Sequence, residues 1–178
     1  AIGEFYNVAA DFRTPYTICG GLQDNGTWCG PSATLTGTNV EEDESDETFG
    51  ITNHDWKYVT GGDGFHVAID PTNPAIVYSE SQGGAISRLK LETGVRKQLR
   101  PEAREGQPAY RFNWNTPIHM SPNEKGTIYI GAQFLFRSRD HGQSWDRISP
   151  DLTTTHPEKQ KQEESGGVTV DNSSAEMH

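Results

Sequence analysis

The sequence predicts an all-β protein, and more narrowly an arc of a β-propeller with about three four-stranded blades and Asp-box turns. Its composition favours short strands joined by turns, because only 32% of the 178 residues are hydrophobic while 19 are glycine and 10 are proline. The aromatic share of 10% argues against a disordered chain. The third observation is an internal repeat of roughly 50 residues, which is the length of one propeller blade.

The repeat becomes visible when Asp11, Asp70 and Ser121 are aligned, at spacings of 59 and 51 residues. A branched aliphatic residue lies three positions before each of them, and another lies seven positions after. A glutamine lies twelve positions after each of them. Each unit therefore predicts a strand, a turn at the aligned residue and a second strand.

Two further strands are predicted in each complete unit, so that four short antiparallel strands form one blade. The strands of the second unit are predicted at 65–69, 76–81, 85–91 and 95–99. Those of the third unit are predicted at 117–120, 127–131, 134–138 and 145–148. We expect blades at about 1–40, 56–102 and 108–152, an acidic loop at 41–47 and a polar connection at 156–167 into a next blade. Because a ring needs at least four blades, we expect a fragment whose partners are the remaining blades of a parent propeller.

Charge and hydropathy exclude several classes of partner. The formal net charge is −10 and the chain shows no basic stripe, so nucleic acid is not an expected partner. No run approaches 18 apolar residues, so no membrane-spanning helix is expected. No motif predicts a metal or a cofactor, and the acidic run at 41–47 is interpreted as a solvated loop rather than a Ca²⁺ loop.

The two cysteines leave two alternatives open. Cys19 and Cys29 lie ten residues apart and are compatible with a bridge between neighbouring strands or with two unpaired buried thiols. They are too few for a disulfide scaffold, and the sequence completes no zinc spacing around them.

The turn at 138–145 fits the Asp-box pattern S-x-D-x-G-x-S-W. Ser138 opens it, Asp140 is placed to accept hydrogen bonds from the turn backbone, and Gly142 permits a positive φ. Trp145 is expected to pack on the hairpin. The sequence therefore predicts a structural role for these four residues.

With this repeat and this turn, the chain resembles the sortilin-type BNR/Asp-box propellers, including bacterial proteins often labelled glycosyl hydrolases. The resemblance lies in the segments 2–8, 20–28, 61–65, 78–84, 110–115, 135–138 and 148–152. It implies a many-bladed propeller that is exported, and hence secreted or periplasmic. Xyloglucan-cleaving glycosidases share this architecture and use two aspartates, whereas eukaryotic sortilin relatives bind peptides in a wide tunnel.

One face of a propeller carries the loops around its axis, and the sequence places several polar residues there. Asp63 lies between glycines before the second blade and is the candidate catalytic carboxylate. The candidate ligand-binding residues are Gln23, Asp24, Glu80, Gln82, Asn113, Trp114, Asn115 and Gln133. Carboxylates, amides and a tryptophan on one concave surface suit a sugar. The alternatives are that the glutamines bind turn backbones, that Trp114 packs within a blade and that Asp63 stabilises its own loop.

Three functions follow from these expectations. The first is the ligand-binding part of an exported sortilin-like propeller, with a polysaccharide or a peptide as ligand. The second is part of a xyloglucanase-like glycoside hydrolase, which needs a second carboxylate roughly 5–9.5 Å from Asp63, from Asp24, Glu80 or a missing blade. The third is a protein-interaction scaffold. Asp63 and its neighbouring glycines are similar to the stretch around one xyloglucanase aspartate, with fewer residues between Asp63 and the second glycine.

Overall fold

The computed structural model describes residues 3–34 and 50–157. They form three four-stranded antiparallel sheets, so the predicted all-β arc of three blades is confirmed. The predicted acidic loop at 41–47 and most of the connection at 156–167 lie outside the described residues. Among residues 3–34 and 50–157, no helix is long and apolar enough to cross a bilayer.

The first sheet has its strands in sequence order and receives its fourth strand from beyond the undescribed segment. Its strands are β1 (Phe5–Ala10), β2 (Thr17–Leu22), β3 (Gly26–Pro31) and β4 (Lys57–Thr60). β4 lies in the range predicted for the second blade, but it pairs with β3 through Trp28 opposite Tyr58. The two rings meet edge to face at 5.2 Å. This sheet therefore ends at Thr60 rather than near residue 40.

The second and third sheets follow the predicted strands to within two residues at each end. The second sheet contains β5 (Gly64–Ile69), β6 (Ile76–Ser81), β7 (Ala85–Lys90) and β8 (Arg96–Gln98). The third contains β9 (Ile118–Met120), β10 (Ile128–Gly131), β11 (Leu135–Ser138) and β12 (Asp146–Arg147). The first strands of consecutive sheets are in contact, β1 with β5 and β5 with β9.

The aligned residues of the repeat close equivalent turns between the first and second strands. Asp11 Oδ1 accepts the N–H of Thr17 at 3.0 Å, and Asp70 Oδ1 accepts the N–H of Thr72 at 2.8 Å. In the third sheet the Ser121 hydroxyl oxygen accepts a backbone N–H at 3.0 Å. A side-chain oxygen at this position therefore organises the turn in all three sheets.

The core consists of two layers, one between each pair of neighbouring sheets. The layer between the first and second sheets contains Cys19, Cys29, Val59, Val67, Val77 and Leu89. The layer between the second and third contains Tyr78, Ile86, Leu99, Phe112, Ile128, Ile130 and Phe136. Successive strand residues point to opposite faces, so the β6 neighbours Val77 and Tyr78 enter different layers. Cys19 and Cys29 face each other across β2 and β3 and form a disulfide.

Candidate functional site

The predicted site residues gather along one edge of the arc, which we call the loop rim. It consists of the turns 23–26, 82–84 and 132–134 and of the segments 61–63 and 111–116, which lead toward β5 and β9. The first two turns are hydrogen bonded to the segment entering the next sheet: Gly26 N–H donates to the Gly62 carbonyl at 2.8 Å, and Gly83 N–H to the Trp114 carbonyl at 3.1 Å. The rim therefore joins consecutive sheets through their backbones.

Asp63 is part of this joining. Its side chain is 9% exposed, and its Oδ1 accepts the backbone N–H of Asp24, in the first sheet, at 2.7 Å. The neighbouring backbone approaches so closely that a Cβ on Gly64 would overlap the Gly26 carbonyl oxygen. Asp63 and Asp24 thus lie next to each other, and the contact between them is a hydrogen bond from the Asp24 backbone to the Asp63 carboxylate.

The three repeat-equivalent glutamines occupy equivalent turns but have different surroundings. Gln133 is buried, and its Oε1 accepts the Arg111 N–H at 2.7 Å while its own N–H donates to the Arg111 carbonyl at 3.0 Å. The Ser81 hydroxyl donates to Oε1 of Gln82. Gln23 is exposed, and its backbone N–H donates to the Glu4 carbonyl at 3.0 Å.

The segment before β9 is held by local hydrogen bonds. Asn113 Oδ1 accepts the Asn115 N–H at 3.3 Å, and the Asn113 carbonyl accepts the Thr116 hydroxyl at 3.0 Å. The Trp114 side chain is half-buried, and that of Asn115 is exposed. Of this segment, Asn115 presents its amide to solvent most openly.

Glu80 lies next to the rim but is fully buried on β6. Burial raises the pKa of its carboxyl from 4.5 to about 8, against the opposing effect of the backbone N–H groups of Thr116, Gly84 and His66. Of these N–H groups, that of Gly84 makes a defined hydrogen bond, to Oε1 at 3.3 Å, and Oε2 has no hydrogen-bond partner. At neutral pH this side chain is therefore mainly the uncharged acid.

The turn predicted from the Ser138–Trp145 pattern is closed by its own side chains. Asp140 Oδ1 accepts the N–H groups of Gln143 and Ser144, both at 2.9 Å, and Oδ2 accepts the Ser144 hydroxyl at 2.6 Å. These hydrogen bonds, with that of the Ser144 hydroxyl foremost, hold the pKa of Asp140 well below its usual range. Gly142 has φ +81°, and its N–H donates to the Ser138 hydroxyl at 2.8 Å. Trp145 Nε1 donates to the carbonyl of Leu99, in the second sheet, at 2.7 Å.

His141, which lies between Asp140 and Gly142, makes a further contact between the second and third sheets. His141 Nδ1 lies 3.1 Å from Oδ2 of the buried Asp70, and the Tyr78 hydroxyl lies 3.3 Å from the same ring nitrogen. Burial and the Asp70 charge raise the pKa of Tyr78, so its hydroxyl remains a donor. The side chain of His141 is 39% exposed. We assign this group to the joining of the sheets.

A large cavity lies away from most of the predicted site, between residues 98–111 and the third sheet, and we call it the outer cleft. Its volume is about 1220 Å³. Its aromatic wall is a cluster in which Tyr110 lies 5.8 Å from Phe134 and 4.8 Å from Phe136, measured between ring centroids. Trp145 adds to this wall. Gln133 is the one predicted ligand-binding residue that also lines the cleft.

Four guanidinium groups line the outer cleft. They belong to Arg100, Arg104, Arg111 and Arg147. Two of them lie over aromatic rings, Arg100 over Phe112 and Arg147 over Phe134, each with its guanidinium carbon 4.5 Å from the ring centroid. The carboxylates of the lining are those of Glu102, Glu105 and Asp151.

Arg111 forms the ion pair of this cleft. Its Nη2 lies 3.3 Å from Asp151 Oδ2, and its Nε is buried without a hydrogen-bond partner. Although desolvation acts in the opposite direction, hydrogen bonds from Thr153 and the charge of Arg111 lower the pKa of Asp151. Asp151 and Arg111 therefore neutralise each other, and the remaining lining keeps a net positive charge.

Sequence reasoning missed the arginines of the cleft, although a signal was present. Five of the 15 lysines and arginines lie within residues 96–111 of this acidic chain. The whole-chain charge of −10 hid this local excess of positive charge. A charge profile along the chain would have identified the segment.

Comparisons with protein-family models, with curated proteins and with solved structures find no match to this chain. Within residues 3–34 and 50–157, no three His, Cys, Asp or Glu side chains are grouped so as to hold a metal ion.

Proposed function

We propose that this chain is the ligand-binding part of an exported, sortilin-like β-propeller. Its ligand binds in the outer cleft and is released without chemical change. The observation that carries this proposal is the cleft itself. Its volume of about 1220 Å³ exceeds the roughly 300–1,000 Å³ of ordinary ligand pockets, so it can accept part of a polymer. Its wall combines aromatic rings with guanidinium groups, the combination that binds a ligand both by apolar contact and by charge.

The burial and hydrogen bonding of the rim carboxyl groups favour ligand binding over catalysis. Asp63 is nine-tenths buried and already accepts a backbone N–H, and Glu80 is fully buried. A catalytic carboxyl group has to reach the bond that it cleaves. These two side chains are better suited to holding the rim together.

Export is supported by the disulfide. Cys19 and Cys29 are bonded, and stable disulfides belong mainly to oxidising compartments such as the periplasm and the cell exterior. A secreted or periplasmic location agrees with the exported, sortilin-like proteins that the sequence resembles.

The site is tested with two tryptophan substitutions in the full-length protein. Ala103→Trp places a large side chain in the lining of the outer cleft, and Asn115→Trp places the same side chain on the exposed rim. Binding to an array of polysaccharides and peptides is compared for the three proteins. We expect Ala103→Trp to lose binding and Asn115→Trp to retain it. The reverse pattern would move the site to the rim, and a folded protein that binds no sugar and no peptide would favour the interaction scaffold.

A glycoside hydrolase is the second candidate, favoured by one observation. Glu80 keeps its proton at neutral pH, which is the state required of a general acid, and Asp63 lies on the same rim. The test is reducing-sugar release from soluble β-glucans by the full-length protein, by Asp63→Asn and by Glu80→Gln. Release that disappears in both variants, while both remain folded, would establish this function. Release that persists in both would remove these two residues from the chemistry.

A further inference from the structure

Resting on the proposed function, we infer that the ligand of the outer cleft is an acidic oligosaccharide, that is, a sugar chain bearing uronate carboxylates. The cleft has a local charge opposite to that of the protein. Its lining contains four arginines and three carboxylates and is therefore positive, whereas the whole chain carries a net charge of −10. Positive charge concentrated in one cavity of an acidic protein points to an anionic ligand.

The guanidinium groups are held in positions suited to carboxylates. Arg100 and Arg147 are exposed, and the guanidinium carbon of each lies 4.5 Å from a ring centroid, over Phe112 and Phe134 respectively. Among the described residues, no carboxylate lies within ion-pair distance of either guanidinium. A guanidinium stacked on a ring keeps the N–H edge that binds a carboxylate through two parallel hydrogen bonds. Stacking also restricts the side chain before the ligand arrives, which reduces the entropy lost on binding.

Neutral amides favour a sugar as the carrier of these carboxylates. The exposed side chains of Gln98 and Gln107 line the cleft between the charged groups, and each can both donate to and accept from sugar hydroxyls. A peptide that bound by adding a strand would need a long unpaired strand edge. The outer strands whose residues line the cleft, β8 and β12, have three and two residues. They are too short to align an extended peptide.

The experiment is a calorimetric titration of the full-length protein with three probes of similar length. The first is an oligogalacturonate, the second is the same oligomer with its carboxyl groups methyl-esterified, and the third is a poly-glutamate peptide. Arg147→Gln removes one stacked guanidinium of the cleft. Arg139→Gln is the matched control, because Arg139 is an exposed arginine of the third sheet whose side chain pairs with Glu124 outside the cleft lining.

We expect the oligogalacturonate to bind and the esterified oligomer to bind at least tenfold more weakly. Arg147→Gln should weaken oligogalacturonate binding about tenfold, Arg139→Gln should not change it, and added salt should weaken it. Equal binding of the charged and esterified oligomers would overturn the inference while leaving sugar binding, and hence the proposed function, in place. Preference for poly-glutamate would assign the cleft to an acidic peptide. If none of the three probes binds but a member of the array does, the inference is overturned and the proposed function remains. If neither the probes nor any member of the array binds, the proposed function itself is contradicted.

Discussion

The loop rim and the outer cleft differ in how their polar groups are used. On the rim, Asp63 and Gln133 accept backbone N–H groups across gaps between chain segments, and the turns donate to the segments that enter the next sheet. In the cleft, Arg100 and Arg147 line the cavity and lie over the rings of Phe112 and Phe134, without a carboxylate at ion-pair distance among the described residues. The rim glutamines recur with the repeat, whereas the cleft residues belong to the junction between the second and third sheets alone.

This difference indicates where a functional site is expected in a repeat protein. Residues that recur at each repeat serve first to maintain the repeated fold, as Asp11, Asp70 and Ser121 do in the turns of the three sheets. The 98–111 segment has no counterpart between the first and second sheets, where β4 is followed directly by residues 61–63 and β5. The departure from the repeat, rather than the repeat itself, carries the candidate site.

The largest expected effect concerns Glu80, which the rim keeps buried and protonated. Its pKa is raised to about 8 in the folded protein and is near 4.5 when the chain unfolds. Between these values the folded state keeps a proton that the unfolded state releases, so the contribution of Glu80 to stability is greatest below pH 4.5 and falls by about 1.4 kcal/mol per pH unit as the pH rises toward 8. Glu80→Gln removes this loss.

Denaturant unfolding of both proteins from pH 4 to pH 9 measures the effect. The free energies of unfolding should be similar at pH 4, and by pH 8 Glu80→Gln should be more stable by several kcal/mol. A constant difference across this range would contradict a raised pKa. It would also remove the observation that favours a hydrolase.

A smaller effect is expected where β2 of the first sheet contacts the beginning of β5 of the second. A Cβ on Gly21 would overlap the carbonyl oxygens of Phe65 and Gly64, and backbone cannot move aside as a side chain does. Gly21→Ala should therefore lower the free energy of unfolding by about 3 kcal/mol. The control is Gly94→Ala, which meets no atom within 4 Å at φ +70° and should lose only about 1 kcal/mol. Equal losses would show that the sheets are not in close contact there.

A substitution of Asp63 tests directly whether the loop rim and the outer cleft have different roles. Asp63→Ala removes the acceptor of the Asp24 N–H and should lower the free energy of unfolding by about 2 kcal/mol. Ligand binding in the outer cleft should not change, because Asp63 is not part of the lining. Thermal unfolding and calorimetric titration of the same preparation check both statements. An unchanged stability with abolished binding would make Asp63 a ligand residue.

The smallest effect on stability is expected in the cleft. Arg147→Gln removes one exposed cation–π contact with Phe134 and should lower the free energy of unfolding by about 0.5–1 kcal/mol. Denaturant unfolding measures this change, which should be smaller than the roughly 1.4 kcal/mol of binding free energy that corresponds to the expected tenfold loss of ligand affinity. If Arg147→Gln lowered the free energy of unfolding as much as Asp63→Ala, Arg147 would also have a structural role in holding parts of the fold together.

The strands could be predicted from sequence because their signals are local. Alternation and turn residues placed β5 to β12 to within two residues, and the pattern at 138–145 identified a turn that Asp140 closes. The pairing of β4 with β3 could not be predicted in this way, since a strand does not encode its partner and residues 35–49 intervene. The cysteine pairing stayed open for the same reason, and the structure resolves it as a disulfide.

The candidate site was less predictable than the fold. Sequence placed the rim polar residues on one face and left open whether the glutamines and Asp63 bind a ligand or the backbone, because that depends on the approach of separate segments. In the structure, Asp63 accepts the Asp24 N–H and Gln133 accepts the Arg111 N–H. The outer cleft was not predicted at all. It arises when sheet packing brings the irregular 98–111 segment to the edge of β11 and β12, a contact between distant parts of the chain.

The most direct test of the division between rim and cleft is calorimetric titration of Ala103→Trp and Asn115→Trp with oligogalacturonate, beside the unaltered full-length protein. The structure predicts binding heat for Asn115→Trp equal to that of the unaltered protein and none for Ala103→Trp. Full binding by Ala103→Trp together with loss in Asn115→Trp would contradict the assignment and return the site to the rim.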